Sequence, residues 1–425
     1  MKKIKAEMWD KMQFLFRNYY NRMMHAALYY DEPLDTEKLK FAVKTLIDGI
    51  PVLHSEFIKN PFRPYWKVRD YDVTDVLIIS DEDDDEKREK FLCDTLPYDG
   101  NVQMKILYTP YKGGCSLIVI VNHMCMDGGD LKNFLKLLFR LYNSDNPSEI
   151  FIKNGSRSYD SVYTKFDGED KKKAKKLYKN ISSVKDSHYF PLTKDRADDI
   201  TRIVRRKIDK DRTSEMIAYG KRHNATVNDV MLAAYIRALY DVGNYPETDS
   251  VTVPCMVDLR RHIVNNAAET GFCNHTGFMQ CTVNCKGKDF EETLSSVQAA
   301  MKKNKEDKFL GLYSLPLLDT AYKYFPQFLS EFLIKKFYSN PLLGMSNVGL
   351  IKAEDFRAGD ARLVDGFMTG AIKYKPYMQF AMTTLNGEMT LSVQLRCNDD
   401  DVKIIERFFD YFEQEITAVE DGVHS

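Results

Sequence analysis

An apolar run, Leu117, Ile118, Val119, Ile120 and Val121, passes through Asn122 into the pattern His-x-x-x-Asp-Gly at His123, Asp127 and Gly128. Leu131, Phe134, Leu135 and Leu138 then recur at helical spacing. The first segment has the length and β-branching of a buried strand and the second is an amphipathic helix. His123 therefore sits at a strand end and Asp127 at a helix start. Asp127 or Asp130 can cap that helix, while Gly128 and Gly129 supply backbone freedom for a sharp turn. Imidazole exchanges a proton near neutral pH, so a histidine held on such a turn is a natural general base. The same residues also allow a satisfied core histidine beside a plain N-cap. A metal site through Cys125 is a third reading, but no second Cys/His cluster with zinc-ligand spacing follows.

At 425 residues, with 44% hydrophobic and 29% charged residues, the chain is long enough for two or three domains of a soluble globular protein. A net charge of -1 and a pI near 6.7 provide no global basic field, which excludes nucleic acid as the expected partner. The eight cysteines, at 93, 115, 125, 255, 273, 281, 285 and 397, form no framework and suggest reduced thiols in a cytosolic compartment. The N-terminus, MKKIKAEMWDKMQF, has no long apolar segment and no small-residue cleavage site, so no export is expected. No window approaches the ~20 apolar residues of a membrane span. A cytoplasmic location follows as the expectation. The acidic run Asp81 to Lys90 reads as a solvated turn and helix start. The basic run Lys171 to Lys179 reads as an exposed helix or linker, or else as a surface meeting an acidic carrier protein or the phosphates of coenzyme A.

The pattern along the first half predicts a strand over Arg22 to Tyr30 and a helix capped at Thr36 that closes before Ile50-Pro51. Strands Leu53 to Ile58 and Tyr65 to Val68, a helix near Lys87 to Cys93, and strand Val102 to Tyr108 precede the motif. Residues from about 155 to 195 are polar and lysine-rich and look like a crossover between lobes. The second half predicts strands at Ile200 to Ile208, Ser250 to Met256, Phe278 to Val283, Gly344 to Gly349, Met378 to Leu385 and Met389 to Leu395. Helices are expected at Arg212 to His223, Thr226 to Val242, about Phe290 to Lys305, Leu329 to Phe337 and Asp400 to Ile416. Asn386-Gly387 between two alternating runs signals a hairpin.

Taken together, EPLDTEKLKFAVKTLIDGIPVLHSEF (Glu32 to Phe57), LPYDGNVQMKILY (Leu96 to Tyr108), VNHMCMDGGDLKNFL (Val121 to Leu135), ATVNDVMLAAYIRALY (Ala225 to Tyr240), VPCMVDLRRHI (Val253 to Ile263), MSNVG (Met345 to Gly349) and NGEMTLSVQL (Asn386 to Leu395) resemble the chloramphenicol acetyltransferase-like superfamily. That superfamily includes condensation domains, alcohol acetyltransferases, wax ester synthases and plant acyltransferases. The resemblance implies an α/β fold of two lobes, each a mixed β-sheet with flanking helices, with an active-site tunnel between them. The lobes are expected at residues 1-180 and 181-425. It implies His123 as the base that deprotonates an alcohol or amine acceptor, Asp127 as a chiefly structural carboxylate paired with an arginine, and Gly128 as part of the motif. Arg260 is the candidate partner and Arg261 the second. Ser346 and Asn347 match a loop near the tunnel, where they could donate to an oxyanion or serve packing and turn formation.

Asn122 departs from the adjacent histidine of many condensation domains, and His54 stands where many relatives have Arg. Asp365-Gly366-Phe367 is only a fragment of the DFGWG element of the plant enzymes. The reading that results is an acyltransferase that moves an acyl group from a thioester to an alcohol or amine, with acyl-CoA favoured as donor. No cofactor is expected to be bound, the donor being acyl-CoA or an acyl-carrier phosphopantetheine thioester. The alternatives are a freestanding condensation domain using a carrier-protein-bound donor and a catalytically silent carrier-binding scaffold. A monomer is expected, because the two lobes would complete the tunnel within one chain.

Overall fold

The computed structural model describes residues 2–152, 155–176, 186–264, 270–313, 315–338 and 340–421. Strand Gly114–Asn122 is buried along its whole length, as its unbroken β-branched run requires, since neither face meets water. It lies third in a five-stranded sheet with the spatial order Leu363–Thr369, Met23–Tyr30, Gly114–Asn122, Met104–Tyr111, Leu77–Ile79. Helices Thr36–Gly49 and Gly128–Tyr142 cover this sheet, burying Leu39, Val43 and Leu46 from one and Phe134, Leu135 and Leu138 from the other.

The second sheet has six strands in the order Thr276–Val283, Val251–Asp258, Met345–Ile351, Phe380–Leu385, Glu388–Cys397, Ile200–Ile208. Strand Met345–Ile351 runs parallel to Phe380–Leu385 for most of its length, yet it meets Val251–Asp258 only at Met345↔Cys255. Helices Val227–Gly243 and Asp399–Asp421 pack on this sheet, with Tyr235 stacked on Phe380 at 5.0 Å and set edge-on to Phe408 at 5.8 Å. Asn386 and Gly387 both take positive φ, 52° and 87°, as a two-residue type I′ hairpin requires. A small antiparallel sheet, Lys3–Lys5, Tyr65–Val68 and Ser55–Ile58, flanks the first core. The molecule is thus a mixed α/β structure of two sheet-rich lobes.

The lobes share a strand. Leu363–Thr369, from the second half of the chain, pairs antiparallel with Met23–Tyr30 from Leu363↔Tyr30 to Thr369↔His25. The division expected at 180/181 falls outside the described residues, and sheet membership does not follow it. Without this strand, Met23–Tyr30 would present unpaired N–H and C=O groups along one side. Several further elements have no counterpart in the sequence pattern, among them helix Met8–Leu15, strand Leu77–Ile79 and helix Leu315–Tyr324. Of the polar stretch, helix Gly168–Lys175 carries the exposed Lys171, Lys172, Lys173 and Lys175, whereas Leu177 to Lys179 lie outside the described residues. No helix among the described residues is long and apolar enough to cross a membrane.

At the start of the central strand, a Cβ on Gly114 would lie 2.0 Å from the Tyr30 carbonyl oxygen and 2.7 Å from the Asp31 carbonyl carbon. Backbone cannot yield as a flexible side chain can. Gly114→Ala is therefore expected to cost about 2 kcal/mol or more, read as a lowered midpoint in urea unfolding; an unchanged midpoint would refute this close packing.

Candidate active site

The strand-to-helix turn places His123 just past the end of Gly114–Asn122. Its backbone N–H donates to the Arg22 carbonyl at 2.8 Å, and its own carbonyl accepts from the Asn274 side-chain amide at 2.7 Å. Its Nδ1 lies 3.0 Å from the Met126 carbonyl oxygen. A carbonyl can only accept, so in the neutral ring Nδ1 carries the hydrogen and Nε2 carries the lone pair. Burial lowers the imidazole pKa below its usual value; the His123 carbonyl, Asp127 and the Met126 carbonyl oppose that shift, and the Lys373 ammonium adds to it. The ring is thus biased to the neutral form with one tautomer fixed.

Asp127 caps helix Gly128–Tyr142 by accepting from the Asp130 backbone N–H at 3.0 Å. Its other oxygen accepts from Arg260 Nη1 at 2.9 Å and from the His275 backbone N–H at 2.7 Å. Arg260 also pairs with buried Asp130 at 2.8 Å and with the more exposed Asp258 at 3.2 Å, and donates to the Cys273 carbonyl at 3.2 Å. Burial alone would raise the Asp127 carboxyl. The Arg260 charge and hydrogen bond, with the N–H groups of His275 and Asp130, outweigh it and hold the group at about 2. Burial works against the Arg260 cation too, and its three carboxylates more than offset that, raising its pKa. Arg261 is exposed and does not join this cluster.

Behind the turn, Arg157 donates to both oxygens of buried Asp10 at 2.8 and 2.9 Å and to the Met124 and Cys125 carbonyls at 3.3 and 3.2 Å. Trp66 Nε1 donates to the same carboxylate at 2.8 Å. Asn122 is engaged at both ends of its side-chain amide: its NH2 donates to Gln103 Oε1 at 2.7 Å and its carbonyl oxygen accepts from the Met124 N–H at 3.0 Å. Neither Gly128 nor Gly129 has positive φ, so the turn does not draw on left-handed freedom at either. A Cβ on Gly128 would meet nothing within 4 Å, whereas one on Gly129 would press on Arg260 Nη1 at 3.2 Å and Asp127 Oδ1 at 3.3 Å. Close approach of the guanidinium accounts for glycine at 129.

The structure brings together His123, Asp127, Gly128 and Arg260. Ser346 and Asn347 lie on strand Met345–Ile351, where Asn347 accepts from the Gly349 N–H at 2.8 Å and donates to Asn228 at 3.4 Å. The motif helix reaches this strand through Lys132, whose ammonium donates to the Val348 carbonyl at 2.7 Å. His54 stands apart, its Nδ1 against the Arg69 carbonyl at 2.8 Å. Two open surface depressions, of about 450 and 350 Å³, are walled around Arg357 and Arg362 and around Tyr189 and Lys375, and neither wall includes His123. Among the described residues no group of three or more His, Cys, Asp or Glu is placed to hold a metal ion. Sequence reasoning missed Arg22, Asp10, Arg157 and Lys373, which reach the turn from distant segments and carry no local motif.

Comparison with known proteins agrees with this architecture. The second half matches the family Phthiocerol/phthiodiolone dimycocerosyl transferase C-terminus over residues 197–309 and the WS/DGAT C-terminal domain over residues 272–420. No curated protein matches the chain in sequence. Among solved structures, the epimerization domain from the third module of tyrocidine synthetase B superposes with a TM-score of 0.70 at 11% identity, covering 99% of this chain and 96% of that one. Trichothecene 15-O-acetyltransferase from Fusarium sporotrichioides gives 0.70 at 14% identity, over 96% and 94%. The first condensation domain of the CDA synthetase gives 0.70 at 15% identity, over 98% and 96%. The fold is thus shared with these epimerization, condensation and acetyltransferase structures, and two overlapping segments of the second half match the two transferase family models.

Removing Arg260 would leave Asp127 and Asp130 buried without their cation, a loss of about 3–5 kcal/mol. Arg260→Ala is expected to show it in chemical unfolding at pH 7. The pH dependence has a definite sign: the Asp127 carboxyl is lowered from 3.8 to about 2, so its contribution is complete above its unfolded value and is lost as pH falls through its folded one. The stability gap between wild type and Arg260→Ala should therefore narrow as pH falls from about 4 to about 2. A gap constant over that range would show that the pair does not titrate as described.

Proposed function

We propose that the protein transfers an acyl group from a thioester, with acyl-CoA the favoured donor, to an alcohol or amine, and that His123 is the general base. The observation that carries this reading is the imidazole itself: Nδ1 is committed to the Met126 carbonyl, Nε2 meets no hydrogen-bond partner among the described residues, and burial favours the neutral form. Nε2 takes the acceptor proton as the acceptor oxygen or nitrogen bonds to the thioester carbonyl carbon. The intermediate collapses with cleavage of the C–S bond, and the proton passes from His123 to the departing thiolate, giving the free thiol. Asp127 serves by fixing the turn, since its oxygens are taken up by Arg260 and backbone N–H groups.

Asn122 does not weaken this reading, because its side chain is engaged with Gln103 and the Met124 N–H. Asn122 in place of the adjacent histidine of many condensation domains is the feature that favours a catalytically silent scaffold. A carrier-bound donor is the second reading, favoured by the exposed lysines of helix Gly168–Lys175 and by the fold shared with condensation domains.

The test is thiol release from a panel of acyl-CoAs with a mixed pool of alcohols and amines. In His123→Ala, shown to be folded, kcat should fall by about 10²–10⁴. For wild type the acid limb of kcat/KM should lie below pH 6.5, activity being lost as the pH drops through the lowered imidazole value. Acceptor-dependent release that survives in His123→Ala would overturn the role of the histidine. Release only from a carrier-bound donor would favour the second reading.

A further inference from the structure

Beside the motif turn lie two cations that pair with no carboxylate among the described residues. Arg22 is 7% exposed and forms no ion pair among the described residues; its Nη1 lies 3.5 Å from Met124 Sδ and its guanidinium 5.5 Å from the centre of the Tyr98 ring. It also takes a φ of 65°, a conformation that residues with a side chain seldom adopt and that tends to persist at functional sites. Lys373 forms none there either, and its ammonium stands 4.1 Å from the centre of the Tyr20 ring.

Three chain segments bring these groups to His123. Its N–H donates to the Arg22 carbonyl, so the arginine backbone touches the motif turn directly. Residues 19–22 run beside 372–374: Asn21 N–H donates to the Ile372 carbonyl at 3.0 Å, Tyr374 N–H to the Tyr19 carbonyl at 2.9 Å, and Tyr20 bridges Lys373. The Lys373 charge is near enough to disfavour protonation of the His123 ring.

Several other buried cations are paired with carboxylates: Arg260 has three, Arg157 has Asp10, and Lys375 has Asp199 and Asp401, whereas buried Lys11 rests on the carbonyl and ring of Tyr322. Aromatic faces offset only part of the loss of hydration that a buried charge suffers. Burial lowers Lys373 to about 8, which still leaves it cationic at neutral pH.

We propose that Arg22 and Lys373 form a subsite for a carboxylate carried by the substrate, held beside the imidazole of His123. The inference deepens the acyl-transfer reading and rests on it for the identity of the ligand, the carboxylate belonging either to the acyl chain or to the acceptor. An anion there would also cancel the positive charge that Lys373 presents to His123, so that the ligand filling the subsite strengthens the base.

The test is equilibrium binding by calorimetry to the wild-type protein, one substrate at a time, so that no transfer is needed for a reading. One pair is succinyl-CoA against butyryl-CoA, which places the carboxylate on the acyl chain. The other is 3-hydroxybutyrate against its methyl ester, which places it on the acceptor. In at least one pair the anionic member should bind about tenfold tighter or better, as a charge-assisted contact requires. That preference should vanish in Lys373→Met, weaken in Arg22→Gln, survive in Lys373→Arg, and be untouched in the exposed Lys38→Met. A preference that persists in Lys373→Met, equal binding within each pair, or no binding by either anion would overturn the subsite. Because binding is read without turnover, a protein that binds the anion selectively but transfers no acyl group would overturn the function and leave the subsite standing.

Discussion

The guanidinium of Arg260, taken out of water between Asp127 and Asp130, is the interaction on which the placement of the motif turn depends, because the two sides come from different halves of the chain. One cation does not neutralise two buried carboxylates. The remaining negative charge is met by dipoles: the helix beginning at Gly128 turns its N-terminus toward Asp127, and the backbone N–H groups of Cys273 and His275 point at Asp130 and Asp127. A lysine would not substitute well, since only the planar fork reaches both carboxylates and the Cys273 carbonyl together. With the turn anchored from below, the His123 backbone is fixed from both sides, by Arg22 and by Asn274.

That arrangement separates two tasks commonly given to one carboxylate. A base paired directly with Asp127 would gain proton affinity but would charge easily. Here a carbonyl fixes the tautomer, whereas the carboxylate is spent on structure. Arg157 performs the matching service from behind, joining Asp10 of the first helix to the carbonyls of Met124 and Cys125. The turn is therefore held by an arginine on each side, and its geometry rests on buried ion pairs rather than on glycine conformations.

Much of this could be read from residue order. The run 117–121 and the spacing of 131, 134, 135 and 138 locate strand Gly114–Asn122 and helix Gly128–Tyr142, because local periodicity and burial agree there. Ile200–Ile208 was legible from its β-branched residues although only Ile203 and Ile208 are buried, and the Asn386-Gly387 hairpin from its turn chemistry. Strand Leu363–Thr369 was not: it is short, contains Gly366, and owes its conformation to pairing with Met23–Tyr30 more than 300 residues earlier in the chain. Helix Met8–Leu15 hides its character too, since it buries Asp10, Lys11 and Gln13 along with its apolar face. Asp10, Arg22, Arg157 and Lys373 are ordinary charged residues in sequence. Their environment is made wholly by contacts between segments that no local pattern connects.

The shared strand gives that long-range assembly its precision. Leu363–Thr369 is paired to the first sheet along one edge, and its Met368 carbonyl accepts from Thr383 Oγ1 at 2.7 Å on a strand of the second. Thr369 Oγ1 meets Ser392 Oγ at 3.0 Å. A register slip of one residue would exchange the strand's two faces and break these contacts, so the bulge between Leu363 and Asp365 and the contacts at 368 and 369 set a single alignment. Lys373 follows four residues beyond the strand, too few to wander from where Thr369 is fixed. The lysine thus arrives beside Tyr20 and the motif turn only when both sheets are complete, which ties the chemical surroundings of His123 to the folding of the whole chain.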